Sequence, residues 1–371
     1  MIRRGLVANG DPRELSTFSN IPHFFLKAGL ENGLLHAPVV LRPEELRTRR
    51  FIWNALRPLT VDRPGGWTYS RRYARTIWTR REIAGEVEEY ISHFQLLPPR
   101  TAVREPITYY IDATMRQWFE DYGYGSRIGR RVRVDALARE REAYLGSRYV
   151  VCMSDWCADD VICSYGVPPE QVRTILPGAN LDVDSLPPAA ERNGELSPLR
   201  LGLVGIDWER KGGPVLLDAA SILERMGYDV EVVVLGPDPE SVPAHPSVRP
   251  LGYMHKGREV RRFVETLRSF HFGCLLSRVE ASGFSALEYL RLGVPIVTTD
   301  AGGIVDPKDA GLRFSIDADG EQVAEALAEV LREPERYATM RNAAARNGAF
   351  YSWDRTAEEM RSLLDGSSPD T

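Results

Sequence analysis

Between residues 199 and 345, apolar positions switch repeatedly between continuous runs and helical spacing. Continuous apolar runs predict buried strands, whereas apolar residues three and four positions apart predict helices. The predicted strands are LRLGLVG (199–205), DVEVVVLG (229–236), HFGCLLS (271–277) and VPIVTTD (294–300). The predicted helices are 212–225, 260–270, 285–293, 322–331 and 334–345. Such alternation with short connections is typical of a parallel sheet that helices cover on both faces.

The first 185 residues show the same alternation less clearly. The predicted strands are GLVAN (5–9), APVVL (37–41), ITYYI (107–111) and SRYVVCMS (147–154), with a further short element at QVRTILP (171–177). The predicted helices are 22–30, 81–94 and 136–145. No repeat of solenoid period is visible, so we expect a second α/β domain of the same kind.

A polar segment rich in Pro, Ser and Glu, DVDSLPPAAERNGELSP (182–198), separates the two patterns. This composition is typical of a domain boundary. We therefore predict two doubly wound, Rossmann-like domains, with ligand bound between them at the carboxyl ends of their strands. The predicted bounds are 1–185 for the first domain, 186–198 for a linker, 199–348 for the second domain and 349–371 for a final helix and tail.

The composition is that of an ordinary soluble globular protein, with 43% hydrophobic and 27% charged residues in 371, which excludes fibrous and disordered classes. No apolar run approaches the roughly 20 residues that span a bilayer, and the N-terminus lacks an apolar segment of signal-peptide length. The four cysteines fit neither a disulfide framework nor a zinc site, so we predict buried free thiols and a cytoplasmic protein. They are Cys152, Cys157, Cys163 and Cys274.

Positive charge is concentrated in residues 42–81, which contain 11 arginines and three acids. Aromatic residues alternate with these arginines, and such a patch suits an anionic membrane surface, a phosphorylated acceptor or nucleic acid. A solvated helical face is the alternative interpretation. The aromatic residues are Phe51, Trp53, Trp67, Tyr69, Tyr73 and Trp78.

Several common motifs are missing. There is no G-x-x-x-x-G-K-[ST], G-x-S-x-G or H-E-x-x-H. The glycines at 123, 125 and 129 have the wrong spacing for a dinucleotide loop and do not follow a strand. We therefore expect no metal site and no bound cofactor.

The remaining chemistry lies at predicted strand ends in the second half. Arg210 and Lys211 follow the strand that ends at Gly205 and precede a helix. Two cations beside the free N–H groups of a helix N-terminus form a phosphate site. A pair of ordinary surface cations is the alternative.

A longer motif, residues 277–303, contains Glu280 and Glu288 separated by seven residues. Eight helical positions span about 12 Å, so the two carboxylates are placed to hold different parts of one elongated ligand. The turn between them has Ser282 or Ser285 as a predicted N-cap and free N–H groups for a diphosphate. We predict a ligand with a ribose diol, a diphosphate and a polyhydroxylated head.

Three blocks, VGIDWERKGG (204–213), EASGFSALE (280–288) and GVPIVTTDAGG (293–303), resemble the nucleotide-binding half of retaining glycosyltransferases of family 4. The family has the GT-B fold, two facing Rossmann-like domains with a C-terminal helix that crosses back to the first. The likeness continues outside these blocks and is weakest over 42–100. The further segments are STFSNIPHFFLKAGL (16–30), residues 150–182 and FYSWDRTAEEMRSLL (350–364).

The resemblance implies a role for each matching residue. Glu288 would hold the ribose hydroxyls and Glu280 the hydroxyls of the donor sugar, while Arg210 and Lys211 would neutralise the departing diphosphate. Asp112 falls where many relatives place a histidine near the anomeric carbon. Further residues implied in donor binding are Asn20, Gly205, Tyr253, Met254, Ser282, Gly283, Phe284, Gly302 and Gly303.

The resemblance also implies the reaction. A hexose-type sugar would pass from a UDP- or GDP-linked donor to an acceptor hydroxyl, with retained anomeric configuration and without a metal. The acceptor would be a glycan, a lipid-linked molecule or a small molecule, not a nucleic acid, and the segment 42–81 would allow peripheral contact with the inner membrane face. The alternatives are a GT-B epimerase or hydrolase of nucleotide sugars, a dinucleotide-dependent oxidoreductase and a non-catalytic binding module.

Three positions depart from the pattern of the family. Ile206 and Asp306 stand where many relatives have arginine and glutamate, and Asn20 stands where many have glycine. Asparagine tolerates positive φ almost as glycine does. Asp112 has a second interpretation as the N-cap of a helix before Ala-Thr-Met.

Overall fold

A computed structural model describes residues 2–56, 65–182 and 196–366. The chain divides into two compact units, Met1–Pro177 with Trp353–Thr371 and Gly178–Ser352. Most of the predicted linker, 186–195, lies outside the described residues, as do 57–64 of the basic segment and the last residues of the tail.

The first unit is built on one sheet, which is parallel except for one short strand at its edge. Its strands are β1 (Arg4–Val7), β2 (Ala37–Val40), β3 (Glu82–Ile83), β4 (Glu89–Ser92), β5 (Ile107–Ile111), β6 (Tyr149–Cys152) and β7 (Val172–Thr174). They lie in the order β3-β2-β1-β4-β5-β6-β7, and β3 pairs antiparallel with β2. In register, Leu6 of β1 lies opposite Pro38 on one side and Ile91 on the other.

Helices pack on both faces of this sheet and bury its apolar strands. They are α1 (Ile21–Glu31), α2 (Arg47–Leu56), α3 (Arg71–Thr79), α4 (Met115–Phe119), α5 (Arg130–Leu145) and α6 (Asp155–Cys163). Aromatic side chains fill much of this core, and Trp78, Tyr109 and Tyr144 are all buried. Helix α4 begins with a capping box between Thr114 and Gln117.

The predicted helix over 81–94 is wrong, because this segment forms β3 and β4. Gly85 has a φ of 95° and interrupts any helix there. Strand β4 lies between β1 and β5, and its Glu89 is buried. The burial of this charge is offset by a hydrogen bond that the Arg4 side chain donates to the carboxylate at 2.7 Å. Arg148 donates to the same carboxylate at 2.9 Å. The buried ion pairs of Glu89 therefore place a charged residue in a central strand, which is why the segment lacks the apolar run expected of a buried strand.

The second unit holds a wholly parallel sheet. Its strands are β8 (Leu199–Val204), β9 (Val230–Leu235), β10 (Val248–Gly252), β11 (Phe272–Leu275), β12 (Ile296–Thr299) and β13 (Gly311–Phe314). Their order is β10-β9-β8-β11-β12-β13. The helices are α7 (Gly213–Arg225), α8 (Val260–Arg268), α9 (Phe284–Arg291), α10 (Gly320–Arg332) and α11 (Pro334–Gly348). The prediction of two doubly wound sheets is confirmed, although the two edge strands β10 and β13 were not predicted.

The last helix, α12 (Trp353–Asp365), belongs to the first unit. The Trp353 ring packs 5.7 Å from that of Phe25 in α1. The Thr356 hydroxyl donates to the Leu176 carbonyl at 2.9 Å, and Arg4 of β1 forms an ion pair with Asp365 at 2.6 Å. These contacts hold α12 against the first sheet.

In each sheet the strand order reverses at one point, between β1 and β4 and between β8 and β11. Loops that leave the carboxyl ends of the two strands at such a point run in opposite directions and leave a crevice, where doubly wound folds bind ligands. The fold therefore points to the loops after these four strands.

Glu140 of α5 is a buried acid whose ionisation opposes folding. Its carboxylate accepts hydrogen bonds from the backbone N–H of Met115 at 2.8 Å and from the hydroxyls of Tyr144, at 2.7 Å, and Tyr165. Burial nevertheless raises the pKa of Glu140 to about 7. Between about pH 4.5 and pH 7 the folded state therefore binds more protons than the unfolded state, and this group lowers stability as the pH rises.

We predict that Glu140→Gln removes this part of the pH dependence. Through this range the free energy of unfolding should fall more steeply with pH in the wild type than in the variant. The difference between the two slopes should be at most about 1.4 kcal/mol per pH unit. Urea unfolding at pH 5, 6, 7 and 8 measures it, with the exposed Glu142→Gln on the same helix as control. Equal slopes in Glu140→Gln and Glu142→Gln would contradict the prediction.

Candidate functional site

The predicted residues of the second unit lie in loops at the carboxyl edge of its sheet and in the first two turns of α9. Arg210 and Lys211 follow β8, and Glu280 follows β11, its neighbour across the point of strand reversal. Glu288 lies in the second turn of α9.

Glu280 is the centre of a buried ion cluster. Its Oε2 accepts hydrogen bonds from Lys211 Nζ at 2.5 Å and from the Arg210 guanidinium at 3.0 Å. The Ser277 hydroxyl donates to the same oxygen at 3.3 Å. Burial acts to raise the pKa of Glu280, but the charges of Lys211 and Arg210 outweigh it and hold the pKa below its usual value. The carboxylate is therefore ionised at neutral pH and fixes both cations.

Glycine at position 205 lets Lys211 reach this cluster. A Cβ on Gly205 would lie 2.8 Å from Lys211 Cε and 2.9 Å from its Cγ. Any larger residue would displace the lysine stem. Gly205 thus positions a cation, and its role in donor binding stays a prediction.

Glu288 forms a second buried pair, with Lys256, that the sequence analysis missed. Lys256 Nζ donates to Glu288 Oε1 and lies 5.0 Å from the ring centre of Phe263. Burial raises the pKa of Glu288, and the charges of Lys256 and Lys211 act in the opposite direction. Because the charge of Lys211 lowers the pKa of both Glu280 and Glu288, the two ion pairs are electrostatically coupled.

Neither Ser282 nor Ser285 is the N-cap of α9, so that prediction is wrong. The N-cap is Gly283, with φ 56° and ψ 47°, which has no side chain that could accept a hydrogen bond from the helix. A Cβ there would lie 3.2 Å from the side chains of both Ile304 and Leu275. The Ser282 and Ser285 hydroxyls are buried and find no hydrogen-bond partner among the described residues. Two unpaired hydroxyls therefore flank the start of α9, where Phe284 is the first helical residue.

Gly302 and Gly303 approach the backbone of Glu280. The N–H of Gly303 donates to the Glu280 carbonyl at 2.9 Å. Gly302 has a φ of 53°, and a Cβ there would lie 2.1 Å from the same carbonyl oxygen. The two glycines thus make their close backbone approach to the loop that carries Glu280, and they fix the position of that loop.

The loop after β10 places one predicted residue in solvent and one in the core. Tyr253 is 70% exposed, whereas Met254 is buried. Lys256, two residues further on, carries the ion pair with Glu288. The loop thus presents an exposed aromatic residue beside a partly buried charge.

The two predicted residues of the first unit lie in the segments after β1 and β5. Asn20 has a φ of 70°, as its tolerance of this region suggested, and its side-chain amide donates to the Leu15 carbonyl. Asp112 is buried after β5, but it is not the N-cap of α4, because Thr114 takes that position and accepts from the N–H of Gln117 at 3.1 Å.

The basic segment 42–81 divides into a core part and a surface part. Trp67, Tyr73 and Trp78 are buried among the residues of the first core, so most of the aromatic pattern is structural. Helix α2 buries none of its residues, and Phe51 is 74% exposed.

Two further findings concern the described residues only. No helix within them combines the length and apolar character needed to cross a bilayer. Nor do they bring three His, Cys, Asp or Glu side chains together as a metal-binding group. Of the four thiols, Cys163 is exposed, contrary to the prediction, and the other three are buried.

Comparison with known proteins shows similarity to glycosyltransferases. The family model of Glycosyl transferases group 1 matches residues 198–333. The D-inositol 3-phosphate glycosyltransferase of Saccharomonospora viridis is 29% identical over 254 residues, which cover 63% of this chain and 58% of that protein. The chain spans about half the length of the curated relatives that it matches.

Solved structures show the same fold over the whole chain. Sucrose-phosphate synthase from Thermosynechococcus elongatus matches with a TM-score of 0.66 and 15% identity over 99% of both chains. Anabaena HepE in complex with UDP matches with a TM-score of 0.59 and 13% identity over 80% of this chain and 82% of that one. The chain has the GT-B fold of glycosyltransferases. Its residues 198–333, which carry the two glutamates and their cations, match the family model of Glycosyl transferases group 1, in agreement with the sequence resemblance.

We predict that Lys256→Met destabilises the protein by about 3–5 kcal/mol, because it leaves the Glu288 carboxylate buried without its partner. The double variant Lys256→Met with Glu288→Gln should recover much of this loss. Chemical unfolding of the single and double variants measures it, and Lys308→Met, at a surface lysine of the same unit, is the control. A single variant as stable as this control would show that the pair is not buried in solution.

Proposed function

We propose that the protein is a glycosyltransferase that moves a hexose-type sugar from a nucleotide-diphosphate sugar to an acceptor hydroxyl, with retention and without a metal. The observation that carries this proposal is the pair of buried acid–cation sets at the carboxyl edge of the second sheet, within the family-matched region. The nucleotide-sugar donor is its substrate, and no further cofactor is needed.

The donor fits this edge in an extended form. Glu288, at one end, binds the ribose hydroxyls, with Tyr253 and Met254 beside the base. Glu280, at the other, binds hydroxyls of the sugar. The unpaired hydroxyls of Ser282 and Ser285 and the N–H groups at the start of α9 suit the diphosphate between them.

Arg210 and Lys211 supply the main catalytic effect. When the bond between the anomeric carbon and the phosphate oxygen breaks, negative charge develops on that oxygen, and two pre-positioned cations stabilise it. Their ion pairs with Glu280 hold them in place before the donor arrives, so little reorganisation is needed.

The acceptor oxygen forms the new bond to the anomeric carbon from the face that the phosphate leaves. Its proton passes to the departing phosphate oxygen, so no enzyme carboxylate forms a covalent intermediate. Asp112 and Asn20 of the first unit are proposed, on the family resemblance, as a further catalytic and a further donor-binding residue.

The donor nucleotide is proposed as UDP or GDP. HepE, a structural relative, was solved with UDP. The curated relatives are named for D-inositol 3-phosphate, so a phosphorylated cyclitol is a candidate acceptor beside glycan and lipid-linked hydroxyls. Nucleic acid is not proposed as a partner.

We predict that Lys211→Ala and Glu288→Ala each remove most transfer activity, by about 100-fold or more for Lys211. A first screen by thermal shift finds the nucleotide, because a ligand that binds only the folded state raises the melting temperature. Sugar transfer is then measured with the selected donor and a panel of hydroxylated acceptors, and proton NMR gives the anomeric configuration of the product.

Lys308→Met is the matched control, since this surface lysine lies in the same unit outside the site. It should keep wild-type activity. Full activity in both site variants would overturn the assignment, an inverted product would overturn retention, and a donor isomerised or hydrolysed at full rate without acceptor would favour the alternative nucleotide-sugar enzymes.

We also propose that the protein is cytoplasmic and touches the inner membrane face through α2. This helix carries three arginines and no acid, and three of its apolar side chains are more than half exposed. Cations beside exposed apolar residues suit an anionic lipid surface. The arginines are Arg47, Arg49 and Arg50, and the apolar residues are Phe51, Ile52 and Leu56.

We predict salt-sensitive sedimentation with phosphatidylglycerol vesicles and little with phosphatidylcholine vesicles. Exchanging Arg49 and Arg50 for glutamate should lower the bound fraction at least several-fold, because each basic residue near an anionic surface contributes about 1 kcal/mol. The same exchange at Arg332 and Arg336, in the second unit, is the control. Equal sedimentation with both lipids would remove α2 as a membrane contact.

A further inference from the structure

A group of aromatic side chains lies at the carboxyl edge of the first sheet, where the strand order reverses between β1 and β4. Phe18, in the loop after β1, contacts the His93 ring edge to face, with 5.0 Å between ring centres. His93 is the first residue after β4. Phe18 also contacts Trp118 of α4, at 6.4 Å. The loops after β1, β4 and β5 therefore meet around this ring.

Trp118, Tyr122 and Tyr124 form an aromatic platform beside Phe18. The ring of Trp118 stacks on those of Tyr122, at 4.6 Å and 29°, and Tyr124, at 5.5 Å and 16°. The two tyrosine rings are 5.7 Å apart and 24° from parallel. The three rings are therefore stacked on one another with lateral offsets, and no pair is as far apart as the outer rings of a three-ring column would be. Tyr124 is 40% exposed, so part of the platform faces solvent.

The loop that carries Phe18 has an unusual backbone. Phe18, Ser19 and Asn20 follow one another with φ values of 39°, 58° and 70°. Residues other than glycine rarely adopt positive φ, and three in succession cost free energy that the surrounding structure must supply. Such conformations are concentrated at ligand sites.

A buried polar atom is also left unpaired in this group. The His93 Nδ1–H donates to the Tyr110 carbonyl at 2.8 Å, and burial lowers the pKa of His93 to about 4. The ring is therefore neutral, and its Nε2 is an acceptor. Nε2 has no hydrogen-bond partner among the described residues. A ligand hydroxyl is the kind of donor that satisfies it.

We propose that the platform of Trp118, Tyr122 and Tyr124 binds one face of a six-membered polyhydroxylated ring, a pyranose or a cyclitol, as the acceptor. The C–H groups on one face of such a ring are apolar and pack on aromatic rings, while its hydroxyls need polar partners around the rim. The acceptor role rests on the proposed glycosyltransferase function. Binding of the ring does not, because the platform lies wholly within the first unit.

Saturation-transfer difference NMR on the full chain tests this without any donor. The probes are methyl α-D-glucopyranoside, myo-inositol and n-hexanol, each added separately. We expect transfer from the protein to the ring C–H protons of the first two. Trp118→Ala and the more exposed Tyr124→Ala should each reduce it at least threefold, and Trp118→Phe should retain more than Trp118→Ala.

Phe350→Ala is the control, since this residue is an exposed aromatic of the second unit. It should leave the transfer unchanged. No transfer to either hydroxylated ring in the wild type, or equal transfer in Tyr124→Ala and Phe350→Ala, would overturn the proposal. A stronger effect with hexanol than with the rings would overturn it in favour of a lipid tail. Nucleotide-induced thermal shifts test the donor site separately, so the two failures are distinguishable.

Discussion

The architecture of the second unit depends on one constraint, the burial of Glu280 together with the two cations that neutralise it. A carboxylate removed from water is costly unless charged donors surround it. Lys211 and Arg210 reach it from the loop after β8, and the missing side chain at Gly205 leaves room for the stem of Lys211. Gly302 and Gly303 hold the backbone of Glu280 from the other side. The ion cluster thus joins loops from three strands into one rigid edge.

The sequence was sufficient for most of the fold because buried parallel strands and amphipathic helices have distinct patterns. The prediction from sequence failed where the buried side chains are polar. Strand β4 was taken for a helix because Glu89 satisfies Arg4 and Arg148 inside the protein, a pairing between residues far apart in the chain. The edge strands β10 and β13 were missed because each has one half-exposed side and therefore lacks a continuous apolar run.

The candidate site was predictable only as far as its residues are close in sequence. The spacing of Glu280 and Glu288 and the cations after β8 were visible as motifs. Lys256 was not, because it lies 32 residues before Glu288 and meets it only through the folding of the loop after β10. The cap of α9 was assigned to serine on general preference, whereas close packing against Ile304 and Leu275 selects Gly283.

Helix α12 gives the chain an unusual order of assembly. The first unit contains residues from both sides of the second in sequence, and the contacts of Trp353 with Phe25 and of Asp365 with Arg4 close it. In covalent terms the second unit is an insertion within the first. During synthesis on the ribosome, the first sheet must therefore wait for its last covering helix until the whole second unit has emerged.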